Sequence, residues 1–203
     1  MKSAIKLLIT WCKVFVQQSK LQIKFNNRGG RLGQKAYLLN PQYIEVGYNC
    51  RIKEGYRIEC YDNFAGVRLF PKLILEDGVI IGFNFTCLVA DKVSIGKDTI
   101  LASNVSIISE NHGTNPESET PYHAQPLHTA PVLIGQGCWI GQNVSILPGV
   151  TIGDKCVIGS NSVVTKDIAS YSLAVGCPAR TIKTYDFTLH KWIKSHEKYH
   201  RTE

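Results

Sequence analysis

Residues 134–168 read IGQGCWIGQNVSILPGVTIGDKCVIGSNSVVTKDI, and an aliphatic residue returns at every sixth position: Ile134, Ile140, Ile146, Ile152, Ile158 and Val164. A second ladder runs four residues behind the first, through Cys138, Val144, Val150, Cys156, Ser162 and Ile168, all small or apolar. Three residues after each aliphatic come Gly137, Asn143, Gly149, Lys155, Asn161 and Asp167. Most of these are Gly or Asn, the residues that best tolerate positive φ. A corner therefore falls every six residues.

An α-helix would repeat its apolar face near 3.6 residues and a plain strand near 2, so a period of six calls for short strands separated by bends. Alternation along each strand turns the first and fifth residues of each six inward. Three such sides close a triangular coil, and successive coils stack at the inter-strand spacing of about 4.8 Å. The spacing predicts an all-β-dominated chain built on a single-stranded parallel β-helix. An amphipathic helix precedes it and a short C-terminal helix follows it.

Working outward, the same step recurs at Val46, Ile52 and Ile58, at Leu75, Ile81 and Cys87, and at Ile95, Leu101 and Ile107. With the two coils that start at Ile134 and Ile152, five are legible. Coil starts depart from an 18-residue repeat by 11 residues between Val46 and Leu75 and by 21 between Ile95 and Ile134. These insertions lie near Tyr61 to Lys72 and Ser109 to Pro131. The second, SENHGTNPESETPYHAQPLHTAP, is long enough to be functional.

Three segments are expected: a basic helix and linker over 1–35, the coil over 36–183 with its loop at 109–131, and a helical cap over 184–203. Lys2, Lys6, Thr10, Lys13, Gln17, Lys20 and Lys24 draw a polar stripe along the first segment, with Ile5, Leu8, Trp11, Phe15 and other apolar residues around it. Such a helix suits either the surface of an anionic membrane or a packed site on its own coil. It is too short and too charged to span a bilayer with assurance. No cleavable signal is evident, because Lys6 and Lys13 interrupt the apolar stretch.

The net charge of +7 is concentrated in that arm, where residues 1–35 hold eight Lys or Arg and no acid. The body of the fold is close to neutral, which argues against a nucleic-acid-binding surface. The seven cysteines include no C-x-x-C pair, and three fall on inward ladder positions, as buried thiols in a reducing compartment would.

The long loop carries His112, His123 and His128 in a polar, proline-interrupted setting that offers no core for a buried imidazole. His112 follows Ile107 and Ile108, where a rigid coil edge would hold it. A neutral imidazole is a suitable general base near pH 7. Ile134 to Lys183, preceded by Asn111-His112-Gly113, closely resembles the hexapeptide-repeat O-acetyltransferases, among them the galactoside, maltose, capsule and lipopolysaccharide acetyltransferases. The basic, apolar N-terminal helix looks most like the polysaccharide-modifying branch.

The resemblance implies a left-handed coil, a homotrimer with sites between subunits, acetyl-CoA as donor, a sugar hydroxyl as acceptor, no metal and a cytoplasmic enzyme; the residues of the helix itself suit contact at the inner membrane face through residues 1–25 or packing on the protein. His112 would take the acceptor proton during direct transfer. Trp139 would flank the donor groove, an aromatic at an outward position that burial does not explain. An inter-subunit packing role for it stays open. Gly141 and Ser160 would line the pantetheine arm, and Thr165, Lys166, Arg180 and Lys183 would meet the nucleotide and its phosphates. Asn84 and Asn111 are candidates for acceptor binding, although Ile81-Gly82-Phe83-Asn84-Phe85 departs from the galactoside pattern. Glu110, Glu117 and Glu119 are all candidates to orient His112. Other activities compatible with the residues are N-acetylation of an amino sugar and a metal-dependent hydrolyase of the β-helix carbonic anhydrase type. The second would take ligands from His123 and His128.

Overall fold

The structure, a computed structural model of the chain, describes residues 16–195. Three parallel sheets form the three faces of a coil. The first face contains Arg31–Leu32, Arg51–Ile52, Ile80–Ile81, Ile100–Leu101, Trp139–Ile140, Val157–Ile158 and Ser172–Gly176. The second contains Tyr37–Leu39, Arg57–Cys60, Thr86–Val89, Ser106–Ile108, Ser145–Ile146 and Val163–Val164. The third contains Ile44–Val46, Lys72–Leu75, Lys92–Ile95, Val132–Ile134 and Thr151–Ile152, extended by a bridge from Ile152 to Ile168. The chain visits the faces in rotation, so each turn rests in register on the one before it.

Every ladder residue between Ile134 and Ile168 points inward, and none is more than 5% exposed. Gly137, Asn143, Gly149, Lys155 and Asn161 adopt φ of +61°, +56°, +83°, +55° and +61°. Asp167 turns its corner without positive φ, and its carboxylate accepts the Thr151 N–H at 2.7 Å. At the edge between the first and second faces, Asn84, Asn104, Asn143 and Asn161 stack as an amide ladder with side-chain bonds of 3.1, 2.9 and 2.9 Å. Each amide donates to the next coil, so polar groups at the corner are satisfied in the same register as the core.

The coil begins one turn earlier than the six-residue step suggests. Leu32 and Leu38 supply that turn's rungs on the first two faces, in register with Ile52 and Ile58. The stretch Asn26–Arg31 is therefore a helix stop followed directly by a strand, and the structured coil starts at Arg31 rather than at residue 36. Gly30 N–H donates to Phe25 C=O at 2.9 Å and Gly29 N–H to Asn26 C=O at 3.1 Å, with Gly29 at φ +69°. This pair of bonds ends a helix through a left-handed glycine.

The described part of the N-terminal helix spans 16–26 and buries Leu21 and Phe25 against the first turn. Lys24 Nζ donates to Ile44 C=O and Arg28 Nη1 to Val46 C=O, both at 2.7 Å. Two of the basic residues thus satisfy carbonyls along the outermost strand of the third face, an edge that would otherwise be open to pairing. The part of the predicted helix over 1–15, with Cys12, lies outside the described residues.

At the other end the expected helical cap is a β-structure. Ala179–Asp186 runs antiparallel to Ser172–Gly176, and Lys191–Lys194 runs antiparallel to Ala179–Asp186. Asp186, within the segment expected to be helical, accepts the N–H groups of Thr188 and Leu189 at 2.8 Å each. That Asx turn, with His190 at φ +48°, folds the chain back, and the β-branched run Thr181, Ile182, Thr184 favours strand. Residues 196–203 lie outside the described part.

Both large insertions leave from the edge between the second and third faces. The shorter forms a hairpin, Asn63–Phe64 with Val67–Arg68. The longer forms a two-stranded ribbon, Glu110–His112 with Leu127–Thr129, and a tip closed by Gln125. The buried Gln125 accepts the Asn115 N–H at 3.0 Å and donates to the Asn115 and Thr120 carbonyls at 3.0 and 2.9 Å.

Two measurements test this architecture. Ile146→Ala, on a fully buried rung, lowers unfolding stability by about 2–5 kcal/mol in a denaturant titration. Gln125→Leu removes the side-chain partner of three backbone groups, so hydrogen exchange speeds up across 113–126 while the coil's amides keep their protection.

Candidate functional site

The long loop departs at Ser109, which is buried and anchored three ways. Its hydroxyl accepts the N–H groups of Ala90 and Asp91 at 2.9 and 3.2 Å and faces the Leu88 carbonyl at 3.3 Å. Ala130 N–H closes the loop base onto Ser109 C=O at 3.0 Å. His112 therefore projects from a ribbon rooted in the coil rather than from an unsupported loop. Asn111 pairs with His128 across this ribbon, and His112 with Leu127. Gly113 follows, where an added Cβ would lie 2.9 Å from the Gln125 side chain.

Glu110 and His112 are two residues apart on one strand, so their side chains share a face. Burial pushes the Glu110 carboxyl up from the ordinary carboxylate range, the charge of His112 draws it back, and the nearby Glu59 pushes it up again. Of the three candidate carboxylates, Glu110 is buried and faces the imidazole electrostatically, while Glu117 and Glu119 are exposed near the loop tip.

Below this ribbon sits a group that the repeat pattern does not reveal. Glu59 points outward from the second face yet is only 6% exposed, because the insertions roof it over. Its two oxygens accept from Arg57 Nε and from the Tyr61 hydroxyl. Burial and the bond to Glu59 both push the Tyr61 phenol well up. Phe64, from the neighbouring hairpin, meets the His112 ring edge-on with centroids 5.3 Å apart and planes at 62°. One sequence signal for the group exists: Arg57, Glu59 and Tyr61 alternate on the outward side of a strand, a polar triad where a lone solvated residue would be ordinary. Nothing in the sequence shows that Phe64 reaches His112, since that contact joins two insertions about fifty residues apart.

The predicted donor residues occupy two separate regions. Trp139 lies on the first face, in register with Ile100 and Val157, and is 59% exposed. Gly141 and Ser160 sit one above the other at the edge between the first and second faces. A Cβ on Gly141 would lie 2.7 Å from Ser160 N and 2.8 Å from Ile158 O, so only glycine keeps this corner flat. Thr165 and Lys166 are exposed at the other edge of the second face, the one that carries both insertions. Arg180 and Lys183 are exposed on the terminal hairpin, and Arg180 Nη1 donates to Ala179 C=O at 2.9 Å.

Asn84 does not join His112. Its side chain is committed to the amide ladder at the first edge, and its φ of +55° identifies a corner residue. His123 lies in the short 3-10 turn Tyr122–Ala124, and His128 lies on the ribbon; both are exposed. Among the described residues no group of three or more His, Cys, Asp or Glu side chains is placed to hold a metal ion. Among them, too, no helix is long and apolar enough to cross a membrane.

The family described as bacterial transferase hexapeptide (six repeats) matches residues 131–166. The chain is 33% identical over 165 residues to a putative lipopolysaccharide biosynthesis O-acetyl transferase of Escherichia coli K12, spanning 78% of this chain and 81% of that one. It is 31% identical over 167 residues to the galactoside O-acetyltransferase of the same organism, spanning 82% of this chain and 70% of that one. The fold is shared with AntD, an N-acyltransferase from Bacillus cereus solved with dTDP-4-amino-4,6-dideoxyglucose and coenzyme A, at a TM-score of 0.67 and 19% identity over 80% of this chain and 84% of that one. The period-six coil, the identity to these relatives over more than two thirds of each chain and the matched repeats lead to one conclusion: the chain belongs to the hexapeptide-repeat transferase family, together with these O-acetyltransferases.

Proposed function

We propose that the protein is an acetyl-CoA-dependent O-acetyltransferase that modifies a sugar hydroxyl in surface polysaccharide synthesis. The observation that carries the reading is the placement of His112 two residues from the buried Glu110, on one face of a ribbon rooted at Ser109. The lipopolysaccharide and galactoside acetyltransferase relatives support the reaction class. His112 accepts the proton of the acceptor hydroxyl as its oxygen attacks the thioester carbonyl. The C–S bond then breaks, and the departing thiolate takes a proton from the imidazolium. Glu110 acts as a positioning residue that holds the ring and steadies its charged form.

The coil is proposed to wind left-handed, as the family resemblance implies, and to assemble as a homotrimer. The placement of the donor residues supports the trimer. Trp139 lies on the first face and Gly141 and Ser160 at its edge with the second, while His112, Thr165 and Lys166 lie at the far edge of the second face, so a groove lined by both groups draws them from neighbouring chains. The exposed Trp139 would flank the donor, and the flat corner at Gly141 suits the thin pantetheine arm. Thr165, Lys166, Arg180 and Lys183 would meet the nucleotide phosphates. Asn111 faces the acceptor side. Use of acetyl-CoA places the reaction on the cytoplasmic side, with the basic N-terminal segment available to an anionic membrane surface.

His112→Ala is expected to lower turnover roughly 10²- to 10⁴-fold, read as thiol release from acetyl-CoA with a sugar acceptor, at unchanged oligomeric mass. Full turnover in that variant would remove His112 from its role. Glu110→Gln is expected to shift the pH profile of kcat/KM, which a merely structural role would leave in place.

A further inference from the structure

The hairpin Asn63–Arg68 has two working faces. Cross-strand partners in an antiparallel ribbon share a face, so Phe64 pairs with Val67 on one side and Asn63 with Arg68 on the other. The Phe64 side meets the His112 ring. The Arg68 side opens on a cavity of about 610 Å³ lined by Tyr43, Asp62, Asn63, Arg68, Phe70 and Lys72, among others.

The charges in this cavity are unequally committed. Asp62 accepts from the Tyr43 hydroxyl at 3.1 Å and from the Asn40 amide at 3.5 Å. Lys72 pairs with Glu45 at 3.1 Å. Arg68 makes no ion pair among the described residues, and its guanidinium lies 5.4 Å from the centre of the Phe70 ring, which is 74% exposed. A guanidinium in cation–π contact with an aromatic ring keeps N–H groups available for a carboxylate or phosphate, in bidentate geometry.

We propose that this hairpin is the acceptor arm and that the acceptor is an anionic sugar. Its ring packs on Phe64, with the reacting hydroxyl at His112, and its carboxylate or phosphate reaches past the edge of the ribbon to Arg68. The inference rests on the acetyltransferase reading for its reaction but not for its binding chemistry. Phe64 supplies an apolar face to the C–H side of a sugar ring, and Arg68 selects among sugars by charge. A neutral monosaccharide engages only the first of these.

The test is calorimetric titration of the full chain with glucose 1-phosphate, glucuronate and glucose, repeated on Arg68→Gln and Phe64→Leu. Both side chains lie outside the coil core. The wild-type chain is expected to prefer at least one anionic sugar over glucose by about tenfold or more, as a charge-assisted bidentate contact would give. Arg68→Gln removes that preference, and Phe64→Leu weakens all binding while preserving it. Preference for glucose 1-phosphate alone identifies phosphate as the recognised group, and preference for glucuronate alone identifies carboxylate. Equal binding of all three sugars by the wild type, or an intact preference in Arg68→Gln, overturns the proposal. Thiol release from acetyl-CoA is measured with the same sugars. Its absence while the anions bind and Arg68→Gln loses them would refute the transferase reading and leave the anion site standing.

Discussion

In-register stacking of parallel strands constrains everything else in this molecule. Each coil donates its N–H groups to the coil beside it, as in the bond from Gly141 N–H to Ile158 C=O at 2.8 Å. A one-residue slip on any face would turn its inward side chains outward. Extra residues can therefore leave only at a corner, where the ladder of bonds is already interrupted. Both large insertions leave at the same corner column, and this alignment brings the Phe64 hairpin to the His112 ribbon.

The periodicity made the coil legible because it is written into side-chain volume and backbone tolerance at once: aliphatic at one position, Gly or Asn three residues later. Its limits lay at the ends. Asn26 to Arg31 looks like a linker because glycines and arginine carry no period, yet those residues close a helix and begin the first strand. The last segment looked helical, yet an Asx carboxylate such as Asp186 serves helix caps and reversing turns equally well. What decided between them was strand pairing, with Ser172–Gly176 on one side of Ala179–Asp186 and Lys191–Lys194 on the other.

Less of the site was legible. His112 stood out through contrast between a regular coil and a polar loop, and Trp139 through exposure at an outward position. Gly141 and Ser160 stack as the repeat implies. Sequence could not separate Glu110, Glu117 and Glu119, because what sets Glu110 apart is burial, and burial depends on how the loop folds back. Asn84 shows a second use of such an amide: it donates to Asn104 and, through it, joins Asn143 in the corner ladder. The group of Arg57, Glu59, Tyr61 and Phe64 arises only when two insertions meet.

The two insertions depart from the second and fourth turns of the second face, at Cys60 and Ile108, with the short turn through Ala90 and Asp91 between them. Their roots are thus two strand steps apart, about 9.6 Å at the usual spacing of about 4.8 Å. That width is a whole number of coils and cannot be adjusted gradually. Within such a scaffold the mouth between the arms changes in jumps, by gaining or losing a complete turn, and finer adjustment falls to the side chains that lean into it. Phe64 and His112, closing from opposite banks, act as the vernier on a ruler whose marks are coils.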